Sequence, residues 1–479
     1  MSAPTPAPTP AAAPGGPPGR AAAVLAALRA ALDPEVLVAG PLDARHLGDW
    51  NVPSAPGTEP VALVRARTVE DVAATMRICD AHRHPVVPQA GLTGLTGGAT
   101  PMADCVVLSL ERMDAIEEID VDGSTMTVQA GATLQAVQQA ADARGLMFAL
   151  DIGARGSCRI GGNASTNAGG NRVLRFGMMR ELVLGLEAVT PDGTVISAMN
   201  TMLKNNAGYD LKHLFIGSEG TLGVVTRLVL RLHPRPRSVC TALASVRDYD
   251  AVLRLLRIAR ERIGPTLAAF EAMWPDFYDF ANAQLAAAPP LPRDGSIHVL
   301  LESMGTDPAR DAELLEATVA AAIEDGCVDD AVIAQSEAQR RAIWAVRDAS
   351  SELKRAFSPH VDYDVSQPVG RIGAFVPECS ARLRAACPDA GIVSFGHVAD
   401  GNLHVSVQTR EGRFTKYDAD RIVYGCVADW RGSVSAEHGI GLLKKAWLGH
   451  SRSEAEIALM RRLKAALDPN AILNPGKVF

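Results

Sequence analysis

The chain has 479 residues, 47% apolar and 21% charged, with a formal net charge of −7. That length exceeds what one hydrophobic core supports, so two domains are expected, and the charge gives no reason to expect nucleic acid or an anionic membrane as partner. No apolar run approaches the roughly twenty residues of a spanning helix. The eight cysteines never occur as Cys-x-x-Cys, which removes an iron–sulfur cluster and structural zinc and leaves buried thiols in a reducing, cytoplasmic setting.

From the N-terminus, residues 1–19 are built after Met1 from Pro, Ala, Gly, Ser and Thr, with no positive charge before Arg20. This reads as a disordered tail, not a secretory signal. Residues 61–108 read as β-α-β: Val61–Val64 is a strand, and Thr68 with Asp71 opens a helix as a capping box. Val72, Met76 and Cys79 continue that helix at helical spacing, and residues 85–88 and 105–108 form two further strands. Between those strands, Gln89-Ala-Gly-Leu-Thr-Gly-Leu-Thr-Gly-Gly98 can turn backbone amides inward around an anion. It does not fit Gly-x-Gly-x-x-Gly, and no Walker sequence occurs, so a nicotinamide Rossmann site and a P-loop both lose support.

A second glycine-rich segment, residues 153–170, is too long for a turn, and a loop of that length in a compact domain binds something. Leu184–Val189 and Thr194–Ser197 form a hairpin about Pro191-Asp-Gly193, and Val224–Leu232 is an apolar strand. His233-Pro-Arg-Pro-Arg237 then marks a domain boundary. Residues 240–430 turn to Ala/Leu/Arg-rich helices with short strands such as His298–Leu301, and residues 433–479 return to Gly/Asn/Pro loops.

Two stretches carry the chemistry. In Phe395-Gly-His-Val-Ala-Asp-Gly-Asn-Leu-His-Val405, Asp400-Gly401 is a two-residue hairpin signal that sets His397 opposite His404, roughly 5 Å apart at Cβ. In Ser433–Gly441, Glu437 sits beside His438. Two histidines and a carboxylate with an open position form a catalytic metal set; two core histidines and an unrelated Glu-His pair is the alternative.

The motifs at 89–98, 151–177, 206–212 and 217–223, then His397–His404, Glu437-His438 and Leu473-Asn-Pro-Gly-Lys477, occur in one order. Together they resemble the vanillyl-alcohol-oxidase (PCMH-type FAD-binding) superfamily, in particular its D-2-hydroxyglutarate and D-lactate dehydrogenase branch. The resemblance implies an α+β fold: a two-lobed PCMH-type FAD-binding domain over 20–235 and an α+β cap over 236–430 with a helix-covered antiparallel sheet. A C-terminal segment, 431–479, would pack back on the FAD domain. It implies FAD held through Gln89, Gly91, Thr93, Gly94, Gly97, Gly98, Asp151, Gly153, Ser157, Gly161, Asn163, Thr166, Asn167, Gly170, Glu219, Gly220, Gly223 and Asn474. Leu92 stands where some members attach flavin through histidine, so FAD is expected to be non-covalent. A divalent metal, Zn²⁺ or Mn²⁺, would lie on His397, His404 and Glu437.

The same resemblance implies that a small 2-hydroxy acid chelates the metal and is clamped by Arg347, with Ser351 one turn on. His438 would take the hydroxyl proton while hydride leaves C2 for flavin N5, giving the 2-oxo acid. Electrons would pass to an external acceptor (an electron-transfer flavoprotein, quinone or cytochrome), and a homodimer is compatible with this reading. Two positions depart from the 2-hydroxyglutarate pattern: Asp362 stands for a lysine and Ser406 for an asparagine. A carboxylate there opposes a second substrate carboxylate, so a neutral-tailed acid such as D-lactate is the expected preference. A peroxide-forming oxidase and a flavin-binding subunit of a larger redox complex are the competing readings.

Overall fold

Thr68 accepts from the Asp71 backbone N–H while the Asp71 carboxylate accepts from the Thr68 N–H, and this reciprocal cap starts the helix Val69–Ala81. In the computed structural model, which describes residues 19–479, that helix packs on a small sheet. Strands β1 (Leu37–Ala39), β2 (Ala62–Arg65), β3 (Val86–Gln89) and β4 (Val106–Ser109) lie in the order β1-β2-β4-β3. β2, β4 and β3 run parallel, and their apolar runs are buried as parallel strands require. The expectation for the tail at 1–19 falls almost wholly outside the described residues.

A second lobe is an antiparallel sheet of β5 (Ile116–Asp120), β6 (Thr125–Gln129), β8 (Val183–Val189), β9 (Val195–Ala198) and β10 (Val224–Arg231), ordered β5-β6-β10-β8-β9. The short pair β7 (Leu146–Met147) and β11 (His233–Pro234) closes its end. One apolar core, from Val24 to Leu232, joins both lobes and takes in Ile472 and Leu473.

The segment at 153–170 is not structureless: a helix, Ile160–Ser165, forms inside it. Gly161 packs where a Cβ would meet the Ala130 methyl at 2.5 Å, so a tertiary contact stabilises a helix that glycine-rich sequence disfavours.

The second domain carries a seven-stranded antiparallel sheet. Its strands are β12 (Ser238–Val246), β13 (Leu267–Met273), β14 (Ile297–Gly305), β15 (Asp330–Ile333), β16 (His360–Ser366), β17 (Ile392–Gly396) and β18 (Asn402–Gln408). The order is β15-β12-β14-β13-β17-β18-β16. The period of two divides its faces. Phe270, Leu301, Tyr363, Val365, Leu403 and Val405 point to a core covered by the helices Tyr249–Arg262, Pro308–Glu324, Ile372–Ala386 and Lys416–Asp429. On the opposite face Met273, Leu300, Val393 and Phe395 pack under the helices Pro275–Gln284 and Glu337–Asp348. By alternation Glu271, Asp362, Asp364, His404 and Ser406 share that second face.

The chain then returns to the first domain. Leu473 bridges Val86 in parallel, with Val86 N–H donating to Ile472 and Asn474 N–H donating to Val86, each at 2.8 Å. The returning tail thereby covers the open edge of β3. Among the described residues, no helix is long and apolar enough to cross a membrane.

Candidate active site

His397 and His404 meet, but not as opposed residues of a two-residue hairpin. Phe395 is the partner of His404, and β17 ends at Gly396. The His397 carbonyl accepts from both Asp400 and Asn402, so the connection is wider than Asp400-Gly401 alone predicts. His397 sits two residues beyond Phe395 and returns to the same face, which brings the two rings to 5.5 Å between centroids. Ligand atoms of His397, His404 and Glu437 all lie within 4.8 Å of one another.

Glu437 reaches this point because of a residue the motif reading missed. Asp364 is fully buried on β16, directly opposite His404. Its Oδ2 accepts from the backbone N–H groups of Ala436, Glu437 and His438 at 3.2, 2.9 and 2.9 Å. Its Oδ1 accepts from the Asn402 side chain at 2.7 Å, and Lys444 Nζ lies 3.7 Å from Oδ2. Burial pushes this carboxyl up, but His438, Lys444 and the amides outweigh it and hold it far below the usual range. Asp364, Glu437 and His438 also lie close enough to hold an ion. Asp364 is already saturated by those donors, so His397, His404 and Glu437 are the set that could hold an ion.

Glu271 is the second missed residue. It is fully buried on β13, accepts from His397 Nδ1 at 2.5 Å and from Arg347 Nε at 2.8 Å. Burial raises its pKa, and His397 and Arg347 together bring it down to about 2. Burial lowers the pKa of His397 while Glu271 raises it to about 9. The Arg347 guanidinium, at 3.2 Å from Nε2, decides the form: a doubly protonated ring would oppose one donor with another. His397 therefore keeps its proton at Nδ1, and its Nε2 lone pair accepts from Arg347, the lone pair a metal would take up on an imidazole backed by a carboxylate. Burial pushes His404 down to about 3, so it too is neutral. Burial also pushes Glu437 up to about 7, a cost that a bound cation reverses. The donor set thus fits a divalent metal.

Arg347 is buried, stacked 4.8 Å over the Phe395 ring. Its neighbour is Ser350 at 3.4 Å, not Ser351. The helix ends at Asp348 and continues as a 3₁₀ turn, so the four-residue spacing that aligned Ser351 is lost. Ser351 Oγ donates back to the Asp348 carbonyl at an exposed position. Asp362 lies on the same sheet face as Asp364 and His404, bonded to Ser406 Oγ at 2.5 Å and to His360 Nε2 at 3.1 Å.

The glycine segments meet beside this site: a Cβ on Gly169 would lie 2.6 Å from Glu437 Oε1. A Cβ on Gly91 would lie 2.6 Å from the Ser157 carbonyl, so the two glycine-rich segments touch. Gly98 gives its carbonyl to Asn474 and Lys477, and Asp49 accepts from the Gly97 N–H at 2.6 Å. Leu92, Asn167, Glu219 and Asn474 all hold left-handed backbone, with φ of 57°, 50°, 53° and 46°. Such strain collects at ligand clamps. Asn474 Oδ1 and Ser218 Oγ are buried without a partner, as polar atoms awaiting a cofactor are.

Several expected cofactor residues spend their side chains inside the protein. Gln89 is tied to His46 and the Ala99 carbonyl. Asp151 pairs with Arg155 and Arg172, and a Cβ on Gly170 would meet the Asp151 carbonyl. Asn163 bonds Cys158, Thr166 bonds the Gly162 carbonyl, and Asn167 accepts from the Arg180 N–H. Glu219 receives the N–H groups of Ile440 and Gly441, both at 2.8 Å, which pins the His438 loop to the first domain. Gly220 and Gly223 make room for Pro88 and the Phe215 ring, whereas Gly153 faces open space. Thr93 and Gly94 lie in the first loop, Gly94 against Asp49.

Comparison with known proteins agrees with this geometry. An FAD binding domain matches residues 60–198, and the C-terminal domain of FAD linked oxidases matches residues 235–478. A D-2-hydroxyglutarate dehydrogenase of Xanthomonas citri pv. viticola is 39% identical, covering 92% of this chain and 93% of that protein. The mitochondrial D-2-hydroxyglutarate dehydrogenase of Bos taurus is also 39% identical, over 87% and 76%. A putative mitochondrial D-lactate dehydrogenase of Schizosaccharomyces pombe is 36% identical, over 91% and 84%. The 4-ethylphenol oxidase of Gulosibacter chungangensis shares the fold at a TM-score of 0.75 and 18% identity, over 97% and 98% of the two chains. On this combined ground the chain belongs to the FAD-linked oxidase family, a two-domain α+β flavoprotein whose cofactor is FAD.

Proposed function

We propose that the protein oxidises a D-2-hydroxy acid to the 2-oxo acid and passes the electrons to an external acceptor. The observation that carries the reading is the meeting of Arg347, His397, His404, Glu437 and His438 at one point, with Glu437 against Gly169 of the second glycine segment. The names of the relatives, D-2-hydroxyglutarate and D-lactate dehydrogenases, support the substrate class and its D configuration. In this reading residues 20–235 hold FAD, 236–430 cap it, and 431–479 carry the base loop back to it.

A bound flavin supplies the two-electron acceptor, and a divalent cation on His397, His404 and Glu437 supplies the charge that lowers a hydroxyl pKa. Arg347 pairs with the C1 carboxylate, since its Nε bond to Glu271 leaves the guanidinium fixed and oriented. His438 takes the C2 hydroxyl proton. Its ring stands 6.2 Å from His404 between centroids, and burial lowers its pKa, which favours the form able to accept a proton. His438 Nδ1 lies 3.8 Å from Asp364, which favours the imidazolium as it forms.

Anaerobic mixing with D-2-hydroxy acids should bleach the flavin absorbance, and their L enantiomers should not. Chelation should abolish bleaching, with Zn²⁺ or Mn²⁺ restoring it. Turnover at full rate in a metal-free preparation would remove the metal from the mechanism. Bleaching by L acids alone, or by none, would remove the substrate class. The acceptor follows from mixing reduced protein with oxygen, a quinone and an electron-transfer flavoprotein, where fast oxidation by oxygen would favour the oxidase.

A further inference from the structure

Two residues along the strands from Asp364 and His404, the sheet face carries hydrogen-bond acceptors and not an anion-binding cation. Asp362 projects from the same face as His404 and Asp364, paired in register with Ser406. It is close enough to His404 and His438 to act on both electrostatically. Its two oxygens are tied from the sides, Oδ1 by Ser406 Oγ and Oδ2 by His360 Nε2, and His360 is steadied in turn by Ser358 at 3.3 Å. A carboxylate so fixed is pointed by its supports, yet 58% of the side chain stays exposed. Its remaining lone pairs are open to solvent on the face that carries His404.

The cations on this face are already engaged. Arg347, held by Glu271, is taken by the C1 carboxylate in the proposed reaction, and Lys444 lies on Asp364. Lys354 rests 5.0 Å over the Trp50 ring, reaching across to the first domain. Among the described residues, no lysine or arginine pairs with Asp362; its one ion-pair partner is His360. A substrate with one carboxylate is therefore matched by Arg347 and a metal ion, and a second carboxylate near Asp362 would be opposed by its charge.

We infer that Asp362, Ser406 and His360 form a specificity subsite for a 2-hydroxy acid whose tail ends in a hydrogen-bond donor, an ammonium or a hydroxyl, and carries no negative charge. This rests on the reading of the protein as a D-2-hydroxy-acid dehydrogenase and names the tail that the site selects. The donor tail displaces water from Asp362 and gains a charge-assisted bond, which an unsubstituted acid lacks and an anionic acid reverses.

The test is kcat/KM for D-lactate, D-2-hydroxyglutarate, D-2,4-dihydroxybutyrate and D-4-amino-2-hydroxybutyrate on the flavin-loaded, metal-loaded wild type. The ammonium or hydroxyl acid should exceed D-lactate by about tenfold, the usual worth of one charge-assisted bond, and D-2-hydroxyglutarate should fall below D-lactate. The two donor acids separate a charge preference from a simple donor preference. Asp362→Lys should shift the ratio of D-2-hydroxyglutarate to D-lactate upward by about tenfold or more. The inference is overturned if wild type prefers D-2-hydroxyglutarate and Asp362→Lys leaves the ratio unchanged. It is equally overturned if Lys354→Met abolishes such a preference, because the tail contact then belongs to Lys354. If the variants do not fold, the wild-type ranking alone decides. If no D-2-hydroxy acid reduces the flavin, the functional reading fails first and the subsite falls with it; reduction by D-lactate with the wrong tail ranking removes only the subsite.

Discussion

His438 is the residue whose loss should be chemically cleanest. His438→Asn keeps the backbone N–H that binds Asp364 and removes the basic nitrogen. Flavin reduction should fall by about 10²–10⁴-fold, the worth of a positioned base, with substrate still able to perturb the flavin spectrum. A variant reducing flavin at nearly the wild-type rate would make His438 structural. Leu92 gives a second residue-scale expectation. A leucine side chain cannot form a bond to flavin, so acid precipitation should leave the yellow colour in the supernatant. Flavin remaining in the pellet after washing would contradict this. Glu271 and Asp364 were invisible as functional residues because neither falls in a motif: Glu271 is the one carboxylate of an apolar strand, and Asp364 is one of two aspartates in His360–Ser366. Alternation alone placed them on the polar face, and only register and packing gave them partners.

At the scale of elements, one buried carboxylate organises a loop from another segment. Asp364 on β16 gathers three consecutive amides of residues 436–438, so the loop carrying Glu437 and His438 is positioned by its backbone. Asp364→Asn should leave Lys444 buried without its charge partner and cost about 3–5 kcal/mol, the usual penalty for breaking a buried pair. Metal content by elemental analysis should drop while bound flavin remains, since the glycine loops are untouched. A variant with full metal occupancy would show that the loop holds itself. The two errors of the motif reading also belong to this scale. A dipeptide signal measures turn propensity and cannot report that β17 stops at Gly396. Helical spacing likewise cannot report that the helix ends at Asp348, which exchanges Ser351 for Ser350 at Arg347.

At the scale of the molecule, the two domains are joined through His233-Pro-Arg-Pro-Arg237, and the tail returns across them. His233 lies in the short pair β7 and β11, 4.7 Å from the Phe176 ring, with its Nε2 buried and unpartnered. Burial, and then Arg231 and Arg175, push its pKa down to about 4. An imidazole lowered from about 6.5 on folding binds its proton more readily in the unfolded chain. Its stability contribution is therefore complete above pH 6.5 and lost as the pH falls toward 4. The melting temperature should decline between pH 7 and pH 5, and His233→Phe should decline less. Equal pH slopes for the two proteins would assign the acid sensitivity to other groups.

Sequence by itself determined the elements whose information is local: the Thr68–Asp71 cap, the β-α-β start, the alternating strands and the two glycine loops. It also named His397, His404, Glu437 and Arg347, because residue type and motif order survive without coordinates. What it could not supply was pairing at long separation. Asp364 meets residue 438 across 74 positions, Glu271 meets His397 across 126, and Asn474 meets Gly98 across 376. Such contacts exist only after burial has brought distant strands and tails together, and the hydrophobic effect that drives this is non-directional. Which carboxylate ends beneath which imidazole is decided by sheet register and packing, and so by the tertiary structure alone.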